Sequence, residues 1–241
     1  MIVSDASDGP TDRAAHHAAR PAADGAADGA PSGSAGWGVV VPVKGGPDAK
    51  SRLAAPDGVD RARLAHAIAE DTLAAVRTSG VGTLVVVTSD VALAGWAGEH
   101  GAHVVADPGT GLDAAVLAGL RHLAGHAPHR HRAVLLGDLP ALVPAELAAA
   151  LAQARTHPRA HLPDAEGEGT TLLTALRGLD LVPRFGVRSS ARHASAGHPV
   201  LTEALSLASV RRDVDDADDL AAARLLGLGP RTAAVLTAAR R

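Results

Sequence analysis

Large apolar side chains are almost missing from residues 1–35, where Ala, Asp, Gly, Pro, Ser, His and Thr dominate. Such a stretch buries too little surface to offset its ordering entropy, so it predicts a disordered tail. From Trp37 the rhythm changes to short β-branched runs alternating with helical periodicity. WGVVVPV (37–43), TLVVVTS (83–89), AHVVADP (102–108) and RAVLLGD (132–138) are near-continuously apolar. This is the pattern of parallel strands covered on both faces. A helix is predicted over 61–78 behind the cap Asp60, with Leu64, Ile68 and Val76 on one face. A second is predicted over 112–124, where Leu112, Val116, Leu120 and Leu123 recur at helical spacing. The alternation predicts a doubly wound α/β fold with a mostly parallel sheet.

Beyond a helix at 144–155 the regularity weakens. A glycine-bearing loop at 164–169, a Thr/Leu segment at 170–176 and a second loop around Phe185 lead to a predicted strand near 207–214. A helix over 217–226 then opens on DDADDL, with Asp216 at the cap and Asp219 three residues on as a capping box. There are no internal repeats. The expected organisation is the tail 1–35, one domain over 36–230 and a C-terminal extension over 231–241.

Composition narrows the chemistry. Without Cys, disulfides, thiolate metal sites and a cysteine nucleophile are excluded, and any metal must sit on Asp, Glu or His. Trp37, Trp96 and Phe185 are the whole stock of Trp, Phe and Tyr, so there is no stacking platform for single strands. Lys and Arg number 23 against 26 Asp and Glu, with no basic stripe, and nucleic acid is not an expected partner. The start MIVSDASDGPTDR has acids where a signal peptide needs bases, and no apolar run reaches the length of about 18 residues that a span needs. A cytoplasmic protein with no membrane partner is expected, and a homo-oligomer is compatible with the chain.

Lys occurs only at 44 and 50, against 21 Arg. Both lie in VVVPVKGGPDAKSRL (39–53), a strand running into a loop with Gly45, Gly46 and Pro47. Glycines let backbone approach a phosphate, and Lys44, Lys50 and Arg52 supply cations for a triphosphate. The loop is neither a GxGxxG nor a Walker sequence. In RAVLLGDLPAL (132–142) Asp138 ends an apolar strand, the edge that faces ligands in open α/β sheets. In RRDVDDADDL (211–220) Asp213 and Asp215 alternate along the predicted strand and so point to one side. Carboxylates from separate strands are a magnesium donor set, with either or both of the pair serving. Asp216, Asp218 and Asp219 are assigned to the helix start. In PDAEGEGTTLL and RFGVRSSARH, Thr170, Thr171, Ser189 and Ser190 offer hydroxyls, while Gly169 and Gly186 permit close approach to a small anion. HAPHRH (126–131) has the spacing of metal ligands, but its place between helix and strand favours a loop role.

VPVK with AKSRL, GLDAAVLAGL, LLGDLPAL, GEGTTLL, FGVRSSARH and RDVDDADDL, in this order over about 38–228, resemble the guanylyltransferase family that builds the deazaflavin redox coenzyme from 2-phospho-L-lactate or phosphoenolpyruvate. The resemblance implies a nucleotidyltransferase fold like that of nucleotide-sugar transferases, with GTP and a phosphorylated three-carbon acid as substrates. It implies Mg²⁺ on Asp138 and an Asp of the 213–215 pair. Catalytic cations would be Lys50 and Arg52, and the acid would lie on Thr171, Gly186 and Ser189. Asp113 stands where the family usually writes Asn, in a stretch implied to lie near the nucleotide with Lys44. Local chemistry does not separate the two acids. The Ala and Arg bias resembles actinobacterial proteins, whose members of this family use phosphoenolpyruvate, so that acid is expected. A sugar-phosphate or molybdopterin nucleotidyltransferase would carry an LAGG-type loop in place of VPVKGG, and a noncatalytic nucleotide-binding domain would lack the three aspartates.

Overall fold

The computed structural model of the chain describes residues 33–44, 55–56 and 58–238. The predicted tail as far as residue 32, and the loop cations Lys50 and Arg52, lie outside the described residues. Six strands form one sheet: β1 (Trp37–Pro42), β2 (Thr83–Thr88), β3 (His103–Ala106), β4 (His131–Leu135), β5 (Arg159–Pro163) and β6 (Thr170–Ala175). Their order is β3-β2-β1-β4-β6-β5. Strands β1 to β4 are mutually parallel, and β6 runs antiparallel to both β4 and β5. The helices are α1 (Arg61–Thr78), α2 (Val91–Glu99), α3 (Leu112–His126), α4 (Pro144–Ala154), α5 (Ser189–Ser195), α6 (Ala208–Arg211), α7 (Ala217–Leu226) and α8 (Pro230–Ala238).

The unbroken apolar runs have the expected cause. Val39 and Val41 face one layer, with α1, α2 and α4 packed over them, and Val40 faces the other, under α3. Helix α3 lies close to the sheet because Gly119 has no side chain: a Cβ there would stand 2.4 Å from Val40 Cγ1 and 2.8 Å from Val87 Cγ2. Asp60 caps α1 by accepting from the Ala62 N–H at 2.8 Å, and Asp216 and Asp219 form the predicted capping box of α7.

Helices α2, α5 and α8 and strand β5 are absent from the expected elements, and one stretch differs from expectation. Helix α2 buries only Leu93 and Ala97, too few for a periodic face. Strand β5 buries His161 where an apolar residue would have advertised it. The stretch at 207–214 is no strand. Its apolar residues Leu207, Val210 and Val214 recur at three and four, the helical period. There the short helix α6 forms, held by Glu146 of α4, whose Oε2 accepts from the Ser209 N–H at 2.9 Å and from Ser209 Oγ at 2.7 Å. Residues from the expected C-terminal extension form most of α8, which docks on α1. Buried Asp71 accepts from the Arg231 N–H at 3.2 Å and the Thr232 N–H at 2.7 Å. No helix among the described residues is long and apolar enough to cross a membrane.

Candidate active site

The chain leaves β1 towards β2 and β3 on one side and returns as β4 on the other. The connections that leave the carboxyl ends of β1 and β4 therefore run to opposite sides, and such a crossover opens a crevice. A cavity of about 300 Å³ lies there. Pro42, Val43 and Lys44 line it from the end of β1, and Leu136, Gly137 and Asp138 from the end of β4; Ile68 of α1 and Leu112 of α3 wall it. Gly137 is required by the close passage of the two strand ends, since a Cβ would stand 2.6 Å from Val43 Cγ2 and 3.1 Å from the Pro42 carbonyl. Asp213 and Asp215 complete the lining. They arrive on an extended segment after α6, pinned where the Val214 N–H donates to the Asp138 carbonyl at 3.0 Å. The two carboxylates thus share a side as predicted, though on a loop.

The electrostatics of this cavity are those of crowded like charges. Burial, then the carboxylates of Asp138, Asp215 and Asp164, push the Asp213 carboxyl up to about 8. Ligand oxygens of Asp164, Glu166 and Asp213 lie within 4.8 Å of one another. Arg212 tempers this second group from outside, with Nη1 2.7 Å from Glu166 Oε1 and 3.1 Å from Asp219 Oδ1. An all-carboxylate oxygen donor set of this kind suits a hard divalent cation, whose charge would favour the ionised form of Asp213. A larger cavity of about 770 Å³ between α1 and α8 shares Val43, Lys44, Ala65 and Ala69 with the first. Its two acids are each paired, with His66 Nε2 2.7 Å from Asp90 Oδ2 and Arg231 Nε 3.1 Å from Glu70 Oε2. The smaller cavity, where negative charge accumulates, is the better candidate for chemistry.

Of the second group of predicted residues Thr171 is bonded to the wall of this cavity, while Thr171, Gly186 and Ser189 do not themselves line it. The Leu136 N–H donates to the Thr171 carbonyl at 3.0 Å, which sets buried Thr171 next to the strand end that carries Asp138. Ser189 is buried at the first position of α5, and Gly186 is exposed at φ 106° in the preceding loop. The Ser190 N–H joins α5 to the 164–169 loop through the Glu168 carbonyl at 3.0 Å. Asp113 does not line the cavity; its Oδ1 accepts from the Phe185 N–H at 2.9 Å and ties α3 to the loop before Gly186.

Sequence reasoning missed what holds this loop. His193 of α5 is fully buried; its Nε2 accepts from the Arg184 N–H at 2.8 Å, so its Nδ1 carries the proton given to Thr170 Oγ1 at 2.9 Å. Burial, then His161, His198, Arg192 and Arg184, push its imidazole down to about 3. His161 likewise donates from Nδ1 to the His198 carbonyl at 2.6 Å and accepts from Ser190 Oγ at 3.0 Å. In a chain with one Phe and no Tyr, neutral histidines are the large polar fillers behind the loop. Asp164 was also missed: its carboxylate accepts from the Glu168 N–H at 2.9 Å and the Gly169 N–H at 2.6 Å, shaping the turn before Thr170. An Asp before a glycine-bearing loop is a readable signal for this.

Residues 64–228 match the family of MobA-like NTP transferase domains. A phosphoenolpyruvate guanylyltransferase of Streptomyces coelicolor is 49% identical over 203 residues, covering 83% of this chain and 95% of its own. One from Salinispora arenicola is 53% identical over 203 residues, covering 82% and 92%. Among solved structures, a nucleotidyl transferase from Methanothermobacter superposes with a TM-score of 0.50 at 20% identity, covering 79% of this chain and 97% of its own. That likeness concerns the fold.

Proposed function

We propose, since the chain belongs to the MobA-like NTP transferase family and within it to the phosphoenolpyruvate guanylyltransferases, that it transfers GMP from GTP to phosphoenolpyruvate. The products are enolpyruvoyl-2-diphospho-5′-guanosine and pyrophosphate, and the step belongs to deazaflavin coenzyme formation in the cytoplasm. The observation that carries this reading is the meeting of Asp138, Asp213, Asp215 and Lys44 in one cavity at the crossover of β1 and β4. A phosphate oxygen of the acid attacks the α-phosphorus of GTP. One P–O bond forms while the bond to the β-phosphate breaks, and its electron pair leaves on pyrophosphate. The attacking phosphate has a second pKa of about 6 and is largely a dianion at pH 7, so no protein base is needed.

Asp138, Asp213 and Asp215 fit Mg²⁺ as oxygen donors. When bound, the ion offsets phosphate charge and polarises the reacting phosphoryl group. Lys44 stands at the same cavity to neutralise a phosphate oxygen. Lys50 and Arg52 are assigned the same task from the sequence. The acid is assigned to Thr171, Gly186 and Ser189, whose hydroxyl and backbone donors suit its carboxylate, while Asp113 contributes by holding the adjoining loop.

Pyrophosphate release with GTP and Mg²⁺ tests the reading, each acid being supplied at equal concentration and the nucleotide product identified by mass. Turnover with phosphoenolpyruvate above that with 2-phospho-L-lactate is the expected result. The reverse preference would change the acid and keep guanylyl transfer, while no guanylyl transfer to either acid would overturn the proposal.

A further inference from the structure

Three imidazoles meet at the other end of α3 from the cavity. His122 and His126 are four apart on α3 and so share a face, their rings stacked with centroids 3.9 Å apart at 15°. His103 opens the edge strand β3, and its Nδ1 lies 3.2 Å from His122 Nε2. One ligand nitrogen from each of the three lies within 4.8 Å of the others. We infer that His103, His122 and His126 form a binding site for a zinc-class transition-metal ion, separate from the carboxylate site, that clamps edge strand β3 to helix α3.

The chemistry favours this class of ion. Zinc-to-imidazole bonds of 2.0–2.1 Å in a tetrahedron require nitrogens about 3.3 Å apart, and the His103–His122 separation of 3.2 Å already meets that. His126 is preset in the required tautomer: its Nδ1 donates to the His122 carbonyl at 3.0 Å, which leaves the Nε2 lone pair for a ligand. His122 and His103 turn their facing nitrogens to the ion once each carries its proton on the other ring nitrogen. Burial, then His126 and His103, hold the His122 imidazolium below its ordinary range, which favours the neutral ligand form. Three imidazoles with no carboxylate among them suit Zn²⁺, Co²⁺ or Ni²⁺ and not Mg²⁺. His103 and His126 are exposed, so a water can take the fourth position.

At 1.5 Å per helical residue, His122 and His126 stand about 15–20 Å from Leu112 at the cavity wall. The ion would therefore act on stability. Residues His103, Val104 and Ala106 of β3 are exposed at the sheet edge, where a cross-link to the covering helix secures the strand. The HAPHRH spacing in the sequence contains only one of the three ligands. The other two become neighbours through the packing of α3 on β3.

The test is Zn²⁺ titration of the full chain in excess Mg²⁺, read by calorimetry and by melting temperature, with Co²⁺ absorption as the report on coordination. The expected result is one ion bound at a Kd of about 10 µM or tighter, a melting temperature raised by Zn²⁺, and a Co²⁺ spectrum of low coordination number. His103→Gln, and separately the pair His122→Gln and His126→Gln, should weaken this binding at least about tenfold and abolish the Zn²⁺-dependent shift. Each variant is read against its own metal-free melting. Guanylyl transfer under Mg²⁺ should be unchanged in both. No binding below about 100 µM, or binding that survives in both variants, would overturn the site.

Discussion

Asp138 lines the cavity at the carboxyl ends of β1 and β4, and Asn in its place keeps the shape while removing a charge and an oxygen donor. Asp138→Asn should lower kcat at least about a hundredfold, equivalent to roughly 2.7 kcal/mol of barrier, with the circular dichroism spectrum unchanged. Asp213→Asn and Asp215→Asn measured beside it show which of the pair shares the task. His193 makes a different prediction, one of stability. Its imidazole is pushed down to about 3 in the folded chain, against 6.5 ordinarily. Between these values the unfolded chain takes up a proton that the native chain does not, so stability is complete above 6.5 and is lost as pH falls towards 3. Urea midpoints over this range should decline on acidification, and His193→Gln should flatten the decline while lowering the midpoint at pH 7.

Element boundaries follow from short-range signals wherever those signals exist. Asp60 and the pair Asp216 and Asp219 marked the starts of α1 and α7, because a cap and the N–H groups it serves lie within one turn. Helix α8 shows the contrary case. Its first N–H groups are served by Asp71, 160 and 161 positions away in the chain, so no local pattern could announce them. Asp71→Ala should leave these donors unmet beside a buried site and cost about 1–3 kcal/mol, while Asp71→Asn retains an acceptor and loses less. Thermal melting of the two variants decides this, with a loss of about 3–8 °C expected for Ala. The short helix α6 stands where a strand is expected over 207–214: its apolar residues follow the helical period, and Glu146 of the distant helix α4 holds it through the Ser209 N–H and hydroxyl.

At the scale of the whole molecule, the crossover in strand order assembles the site. Strand β6 carries Thr171 beside the strand end of Asp138, and α5, which opens on Ser189, is tied to the 164–169 loop by the Ser190 N–H. If these hydroxyls serve the acid, Thr171→Val and Ser189→Ala should each raise the KM for phosphoenolpyruvate about tenfold while changing that for GTP less than about twofold. Equal changes in both constants would instead mark a general loosening of the loop.

The chain by itself determined the layered α/β architecture, since apolar runs and helical periods are written within a few consecutive residues. It also exposed Asp138, because an acid at the end of an apolar run departs from its surroundings, and Asp213 and Asp215 through their alternation in RRDVDDADDL. Tertiary structure alone decided that these three share a cavity, that His193 is held neutral behind the loop and that Asp71 caps α8. The burial and crowding that raise the Asp213 carboxyl, and the meeting of His103 with His122, depend on which distant segments the sheet order places side by side. Such coulombic and hydrogen-bonding terms act through space over a few ångströms, and spacing along the chain carries no measure of that distance.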